Sequence, residues 1–320
     1  MKKKTLKEIV IIAFGLVILL GGVWVSNNLQ LLVDEFVIWQ NPPSADAIDI
    51  AARTDMSELG QRIFYAARPQ FDEAGAFNEH CSGFETTMII LGCYDGDKIY
   101  VFNVSDSRIA DAKYVTAAHE MLHAAYERLD ESERERVDGM LDQEYSRLDD
   151  PSLVETMAGY AQMEPGQRSN ELHSIIGTEY VDLSPELEEY YGRYFTNQDV
   201  VALLAGSYKK VFTDLENEQT GLKSQMDALD GKIAADSSNY DATLTRLNAD
   251  IAVFNGRTFS SEYEYNSARQ ALQARIDALD GLAAQIHSDI AQYNVWVEEY
   301  NELGGRMQQL SDRLDSRTQL

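Results

Sequence analysis

The chain has 320 residues, of which 53 are acidic and 27 are basic, and its formal net charge is −26. A surface of this charge repels phosphate backbones, so the composition argues against nucleic acid as a partner. With 44% hydrophobic and 25% charged residues, the composition is that of a globular protein, long enough for one medium-sized domain and an accessory element.

The amino-terminal segment has the pattern of a membrane anchor. Four lysines among the first seven residues precede an uncharged run from Ile9 to Val25, and Trp24 stands where an interfacial aromatic is expected. We therefore predict a single-pass transmembrane helix in the cell membrane within residues 1–27, with the lysines in the cytoplasm and the rest outside. A cleaved signal peptide is the alternative, although the residues after the run lack a small-x-small cleavage site. Both interpretations export the remaining chain.

The next segment, residues 28–55, is predicted to be a stalk or a poorly ordered entry, broken at Asn41-Pro42-Pro43. Beyond it, Cys81 and Cys93 are the only cysteines. In an oxidising compartment such a pair is expected to form a disulfide. A metal site made by His80 and both cysteines is the alternative, but its spacing fits no common zinc module.

A β-hairpin and a helix follow. Asp95-Gly96 between apolar runs is a strong hairpin signal, and a helix is predicted over about residues 113–129. This helix carries His119-Glu120-Met121-Leu122-His123. Because residues four apart lie on one helix face, both histidines can offer an imidazole nitrogen to one tetrahedral ion.

Glu120 has a different role in this pattern. It lies next to the first histidine, from where it can reach a metal-bound water and act as general base without ligating the metal. The metal lowers the pKa of that water towards neutrality. The alternative is an ordinary amphipathic helix with two histidines on one face. Uncharged residues on both sides of the motif, and a total of only five histidines, favour the metal site.

The segment from Thr116 to Ala125 resembles the active helix of the zincin metallopeptidases. The metzincin pattern would need a later histidine where Tyr126 or Leu129 stands. Further on, Asn170-Glu171-Leu172-His173-Ser174 resembles the glutamate helix of the gluzincins, the thermolysin-like group. The resemblance covers residues 99–177 at most.

The resemblance implies a Zn²⁺ ion held by His119, His123 and Glu171. The sequence departs from the thermolysin-like pattern at Ile175. Thermolysin-like enzymes carry an aspartate there, which orients the first histidine. His173 and Glu179 are the alternatives for the third ligand.

The reaction would also need a donor for the carbonyl oxyanion. Near Glu171 in the sequence, four side chains could serve, and we name the first two of them as predicted catalytic residues: His173, Tyr180, Tyr160 and Tyr190.

From about Tyr208 onwards, apolar residues recur at alternating spacings of three and four, which is typical of a coiled coil. Asn255-Gly256 and the polar residues up to Glu262 interrupt the pattern. The simplest fold is a long antiparallel helical hairpin over residues 207–320. The pattern leaves open whether the arms pair within one chain or between chains.

The sequence therefore predicts an α+β fold, with a mostly helical, zincin-like domain and a small β-hairpin or sheet in residues 28–206. The predicted function is that of a membrane-anchored, extracytoplasmic zinc metalloendopeptidase acting on a protein or peptide. The alternative is a non-enzymatic coiled-coil interaction or scaffold protein of the cell envelope, with a structural or degenerate zinc site. In either case the hairpin could bind a protein partner.

Overall fold

The α+β fold class is confirmed, since helices predominate around one small sheet. The chain divides into two compact units, one that runs up to Val211 and includes Leu310–Leu320, and one that spans Phe212–Gln309. The computed structural model describes residues 11, 13–14, 16, 19–26, 28–81, 89–163 and 166–319.

The predicted anchor, residues 1–27, lies mostly outside the described residues. Within the part of the chain that is described, no helix combines the length and apolar character needed to cross a membrane.

The prediction of a stalk over residues 28–55 is wrong, because two helices form there. Helix α1 spans Leu29–Gln40 and helix α2 spans Ala45–Arg53. Ser44 is the N-cap of α2, and its hydroxyl accepts a hydrogen bond from the Ala47 amide. Helix α2 then buries small and apolar residues at helical spacing, which are Ala47, Ile50 and Ala51. The serine after the two prolines begins a helix that packs into the core.

The sheet is small and mixed. After helix α3 (Glu58–Ala66) come strand β1 (Gln70–Asp72), helix α4 (Ala74–His80) and strands β2 (Gly92–Tyr94) and β3 (Ile99–Phe102). The strand order is β1-β3-β2, with β1 parallel and β2 antiparallel to β3. Gly96 adopts a φ of 90° in the turn between β2 and β3, which fits the predicted hairpin. Strand β2 is therefore an edge strand among the described residues.

The disulfide between Cys81 and Cys93 is confirmed. Cys81 directly follows α4, and Cys93 is the middle residue of β2. The bridge therefore ties the edge strand covalently to the end of α4.

Helix α5 (Asp111–Glu127) is the central element of the first unit, and most of its side chains are buried. It packs against β2, β3, α3 and a later helix, α8 (Arg168–Glu179). Three further helices complete this part of the chain: α6 (Glu131–Leu148), α7 (Pro151–Met163) and α9 (Pro185–Tyr191).

Two long helices follow, α10 (Asp199–Gly256) and α11 (Glu262–Leu314). Within Phe212–Gln309 they pair antiparallel in one chain. The Gln219 side chain donates to the Tyr300 carbonyl oxygen, Lys232 pairs with Asp289, and Arg275 pairs with Asp250. Partner numbers fall along one arm as they rise along the other, as an antiparallel hairpin requires.

The end of the chain returns to the first unit. A 3₁₀ helix over Ser316–Gln319 packs against α4. The Asn78 side-chain amide donates to the Ser316 carbonyl oxygen at 3.2 Å, and the Ser316 hydroxyl donates to Asn78 Oδ1 at 2.7 Å. The last residues are thus part of the packing of α4.

Candidate metal centre

Helix α5 brings together the three motif residues His119, Glu120 and His123. One potential ligand atom from each lies within 4.8 Å of the others, so the group could hold a metal ion. Buried alanines flank the motif in the helix, so the backbone can pack closely against its neighbours while the two imidazoles share one face.

Glu171 reaches the same place from α8. Its Oε2 atom lies 3.7 Å from His119 Nε2, and its Oε1 atom lies 3.5 Å from His123 Nε2. Two ligands bound at about 2.0–2.1 Å to one tetrahedral ion are about 3.3–3.4 Å apart. The observed separations are therefore close to the edges of a metal tetrahedron and longer than hydrogen bonds.

One oxygen of the Glu171 carboxylate also lacks a hydrogen-bond partner. Oε2 is buried and has no hydrogen-bond partner in the protein. A buried carboxylate oxygen without a partner is costly, and a bound cation would compensate it. The two imidazoles and this carboxylate therefore fit a metal ion by chemistry as well as by distance.

Asn170 orients one of the histidines. Its Oδ1 atom lies 3.0 Å from His123 Nδ1, and since a carbonyl oxygen accepts, the ring nitrogen donates. This bond leaves the lone pair on Nε2, which is the atom that faces Glu171. Second-layer contacts of this kind fix the tautomer and direction of a metal-binding imidazole. The sequence alone does not indicate this role, and its one signal is that Asn170 directly precedes Glu171.

Ile175 is a buried apolar residue beside the site. It is 5% exposed and lines a cavity that His119 also lines. An isoleucine can limit the movement of the ring but accepts no hydrogen bond from it. An apolar side chain therefore stands here where the thermolysin-like pattern has an aspartate.

The protonation states at the site follow from burial and from the charges of the three candidate ligands and Glu120. Burial lowers the pKa of His123, and the neighbouring His119 lowers it further, to about 4. Burial also acts to lower the pKa of His119, but contact with Glu171 and the charge of Glu120 outweigh it, so this pKa is raised. Burial acts to raise the pKa of Glu171, but His119 and His123 outweigh it, so this pKa is lowered. A carboxylate and a neutral His123 are the forms that bind metal.

The site opens into a cleft of about 280 Å³. Strand β2 lies along the cleft beside Glu120 and both histidines. Gly92 is in close contact with the predicted general base: a Cβ atom on Gly92 would lie 2.7 Å from Glu120 Oε1 and 2.5 Å from Thr116 Cγ2. In this arrangement a side chain at residue 92 would displace Glu120 or Thr116.

His173 lies away from the cleft. It is fully buried on α8, and its Nε2 atom is 2.9 Å from the Tyr190 hydroxyl. Burial lowers its pKa to about 3, so the ring is neutral. Residues two apart on a helix point in roughly opposite directions, so Glu171 faces His119 and His123 while His173 packs among tyrosines.

Three other predicted residues lie closer to the site. Tyr160 lines the cleft, and its hydroxyl helps to lower the pKa of Glu171. Tyr180 shares an adjoining cavity with His119 and donates a hydrogen bond to Asp150 Oδ2 at 2.8 Å. Glu179, the alternative third ligand, lines both spaces and is paired with Lys209.

Comparisons with protein families, with curated proteins and with solved structures find no match to this chain. Its function is therefore inferred from its own residues and geometry.

Proposed function

We propose that this protein is a zinc-dependent metalloendopeptidase of the gluzincin-like type. One observation carries the proposal: Glu171, from a separate helix, brings its two carboxylate oxygens within 3.5 and 3.7 Å of the two motif histidines. A helix that carried two histidines by coincidence would not be expected to meet a buried carboxylate at metal-ligand spacing.

The donor set supports zinc as the metal. His119, His123 and Glu171 supply two imidazoles and one carboxylate, a set used by catalytic zinc sites that keep one position open. Zinc bound there would act as a Lewis acid on a substrate carbonyl and make water a stronger acid. Glu120 would accept the proton of the attacking water and deliver it to the departing amine.

A peptide is the substrate class that suits the cleft. Strand β2 runs along it, and within the described part of the chain it pairs with β3 on one side only. An extended peptide could therefore add to the free edge of β2 by main-chain hydrogen bonds. Such pairing would place a peptide carbonyl near the Glu120 side of the cleft, since Gly92 lies directly against that side chain.

The proposed location is the outer side of a cell membrane, with the chain held by its amino-terminal apolar run. The lysines before that run support this orientation. The Cys81–Cys93 disulfide supports an oxidising compartment.

Metal analysis combined with hydrolysis tests the proposal. Purified wild-type protein should hold about one zinc per chain. His119→Ala, His123→Ala and Glu171→Ala should each lose most of it. Glu120→Gln should keep the metal and lose hydrolysis of a peptide library, and undiminished hydrolysis by this variant would refute the assigned mechanism.

The non-enzymatic alternative is favoured by one observation, the pair of long helices α10 and α11. Such an extended surface suits a scaffold that binds another protein of the cell envelope. If wild-type protein holds zinc but hydrolyses no peptide in the library, and Glu120→Gln leaves partner binding unchanged, the scaffold function is supported instead.

A further inference from the structure

Helix α1 has two different apolar faces. Its inner face, which includes Leu31 and Ile38, is half-buried, and the helix packs against α3. Its outer face carries five apolar side chains that are between 37% and 77% exposed, which are Leu29, Leu32, Val33, Phe36 and Trp39. At 100° per residue these five fall within an arc of about 120°. The outer face is therefore an apolar stripe, with Gln40 as a polar residue at its carboxyl-terminal end.

The orientation of α1 is fixed by a buried polar contact. Asp34 is 4% exposed and accepts hydrogen bonds from Gln30 Nε2 at 2.9 Å and from Arg128 Nη2 at 3.4 Å. Arg128 also donates to the Ala124 carbonyl oxygen of α5 at 2.6 Å. Turning the stripe inwards would break these contacts and expose the carboxylate. The stripe is thus held facing away from the core.

The residues directly before α1 indicate what covers the stripe. Residues 19–26 are helical, and their large apolar side chains, from Leu19 to Val25, are exposed. A helix that is apolar on all sides is suited to lipid. The lysines at the start of the chain are suited to anionic head groups. The stripe on α1 continues this apolar surface along the chain.

We propose that the outer face of α1 lies in the interfacial layer of a lipid bilayer. An amphipathic helix that buries one apolar face at the head-group boundary lies along the membrane plane, and Phe36 and Trp39 are aromatic residues of the type enriched there. Through Asp34 and Arg128 the lipid-bound helix is joined to α5, which carries the metal ligands. The membrane would therefore set the orientation of the metal cleft. This proposal rests on the proposed membrane location but not on the proposed hydrolysis.

Quenching of Trp39 fluorescence tests the proposal in the full chain. The chain has three tryptophans, so Trp24→Phe and Trp296→Phe leave Trp39 as the only tryptophan, which is excited selectively beyond the tyrosine absorption band. The protein is reconstituted into phosphatidylcholine–phosphatidylglycerol vesicles, with or without bromine near the head-group end of the acyl chains. We expect about a twofold loss of Trp39 emission with the brominated lipid. Equal emission in both vesicles overturns the proposal.

A charged variant provides the second measurement. Val33→Glu with Phe36→Glu, in the same tryptophan background, changes exposed side chains and should leave the fold intact by circular dichroism. It should remove the quenching of Trp39. Val154→Glu, at a position 49% exposed on α7, is the matched control and should keep it. Quenching that survives the double substitution overturns the proposal. So does an unquenched Trp39 with Val33→Cys crosslinking between copies, because a second copy would then cover the stripe.

Discussion

Gly92 is the position where one missing side chain matters most for the proposed chemistry. A Cβ atom there would lie 2.7 Å from Glu120 Oε1 and 2.9 Å from Glu120 Cγ. The carboxylate would have to move, and misplacement of a catalytic group by about 1 Å can cost about 100-fold in rate. We expect Gly92→Ala to keep its zinc, change KM little and lower kcat about 10- to 100-fold. Metal analysis and steady-state kinetics measure the three effects.

Two further variants distinguish a displaced Glu120 from a general loss of packing as the cause of the lower kcat. The added Cβ also meets Thr116 Cγ2, so Thr116→Ala should relieve that clash and restore the thermal stability of Gly92→Ala without restoring kcat. Gly139→Ala, where nothing lies within 4 Å of the added atom, should be neutral in rate. Full kcat in the Gly92→Ala, Thr116→Ala double variant would show that Gly92 does not position the general base.

Asn170 gives a second prediction at the residue scale. Loss of its hydrogen bond to His123 frees the imidazole to rotate and change tautomer, so Asn170→Ala should weaken zinc binding about 10- to 100-fold. Competition with a chromogenic chelator measures the Kd. Asn170→Asp keeps an acceptor for Nδ1 and should bind zinc nearly as wild type does. Equal Kd values for wild type and Asn170→Ala would contradict the assigned role.

At the residue scale, the sequence predicts those candidate site residues that have a distinctive spacing. His119, Glu120 and His123 are apparent because helix geometry alone places them together. Glu171 depends on the resemblance, since only the packing of α8 against α5 brings it there. The contact of Gly92 with Glu120 joins two elements, and no local pattern encodes it. His173 looked equally suitable in sequence, but a displacement of two residues from Glu171 turned it towards the tyrosine cluster.

At the scale of elements, local signals located the helices that begin or end with a clear cap. Ser57 caps α3 through the Gly60 amide, as a serine before an apolar helix indicates. After Leu148, Asp149 adopts a left-handed φ of 46° and ends α6 as the sequence Asp-Asp-Pro suggests. The sequence does not predict helices α1 and α2, because Asn41-Pro42-Pro43 suggests an irregular segment. In the structure these residues only separate two packed helices.

The disulfide gives the prediction that belongs to this scale. Closing a loop of this length in the unfolded chain is worth about 3 kcal/mol, so Cys81→Ser with Cys93→Ser should lower the free energy of unfolding by about that amount. Urea unfolding measures it. Because Cys93 lies in β2, amide exchange should also accelerate at Gly92–Tyr94 more than in α5. An unchanged free energy of unfolding, or acceleration spread evenly over the unit, would contradict a role in fixing the edge strand.

For the whole molecule, the grouping of the last residues with the first unit was not expected from the heptad pattern. Leu310 is 1% exposed, and Ser316 exchanges two hydrogen bonds with Asn78 on α4. A heptad pattern indicates that a helix has an apolar face, but it does not indicate where along the helix that face begins to pack against a different element. The continuous helix α11 crosses from one compact unit to the other near Leu310 without a break in the sequence pattern.

Removal of the tail should therefore destabilise the first unit. A chain that ends at Gln309 loses the buried Leu310 and Leu314 and both Asn78–Ser316 hydrogen bonds. The expected loss is on the order of 4 kcal/mol, from apolar burial and two hydrogen bonds. Thermal unfolding followed by near-ultraviolet circular dichroism measures it. A Tm equal to that of the full chain would show that the tail contributes no packing.

Shortening the hairpin, by contrast, should leave the first unit unchanged, because Phe212–Gln309 is a compact unit of its own. The cross-arm pairs Lys232–Asp289 and Arg275–Asp250 define the register of the two arms. Excision of one heptad from each arm, residues 237–243 and 280–286, keeps both pairs, the seam and the antiparallel register. This variant should match wild type in zinc content, in kcat and KM for a short peptide, and in the Tm of the first unit.

Excision of residues 237–243 alone is the mismatched control, and it should lower the helical content because one arm loses its register. If the matched excision reduces hydrolysis of the short peptide while zinc is retained, the length of the hairpin takes part in the reaction itself. If it changes only the cleavage of a large protein substrate, the hairpin acts in substrate recognition.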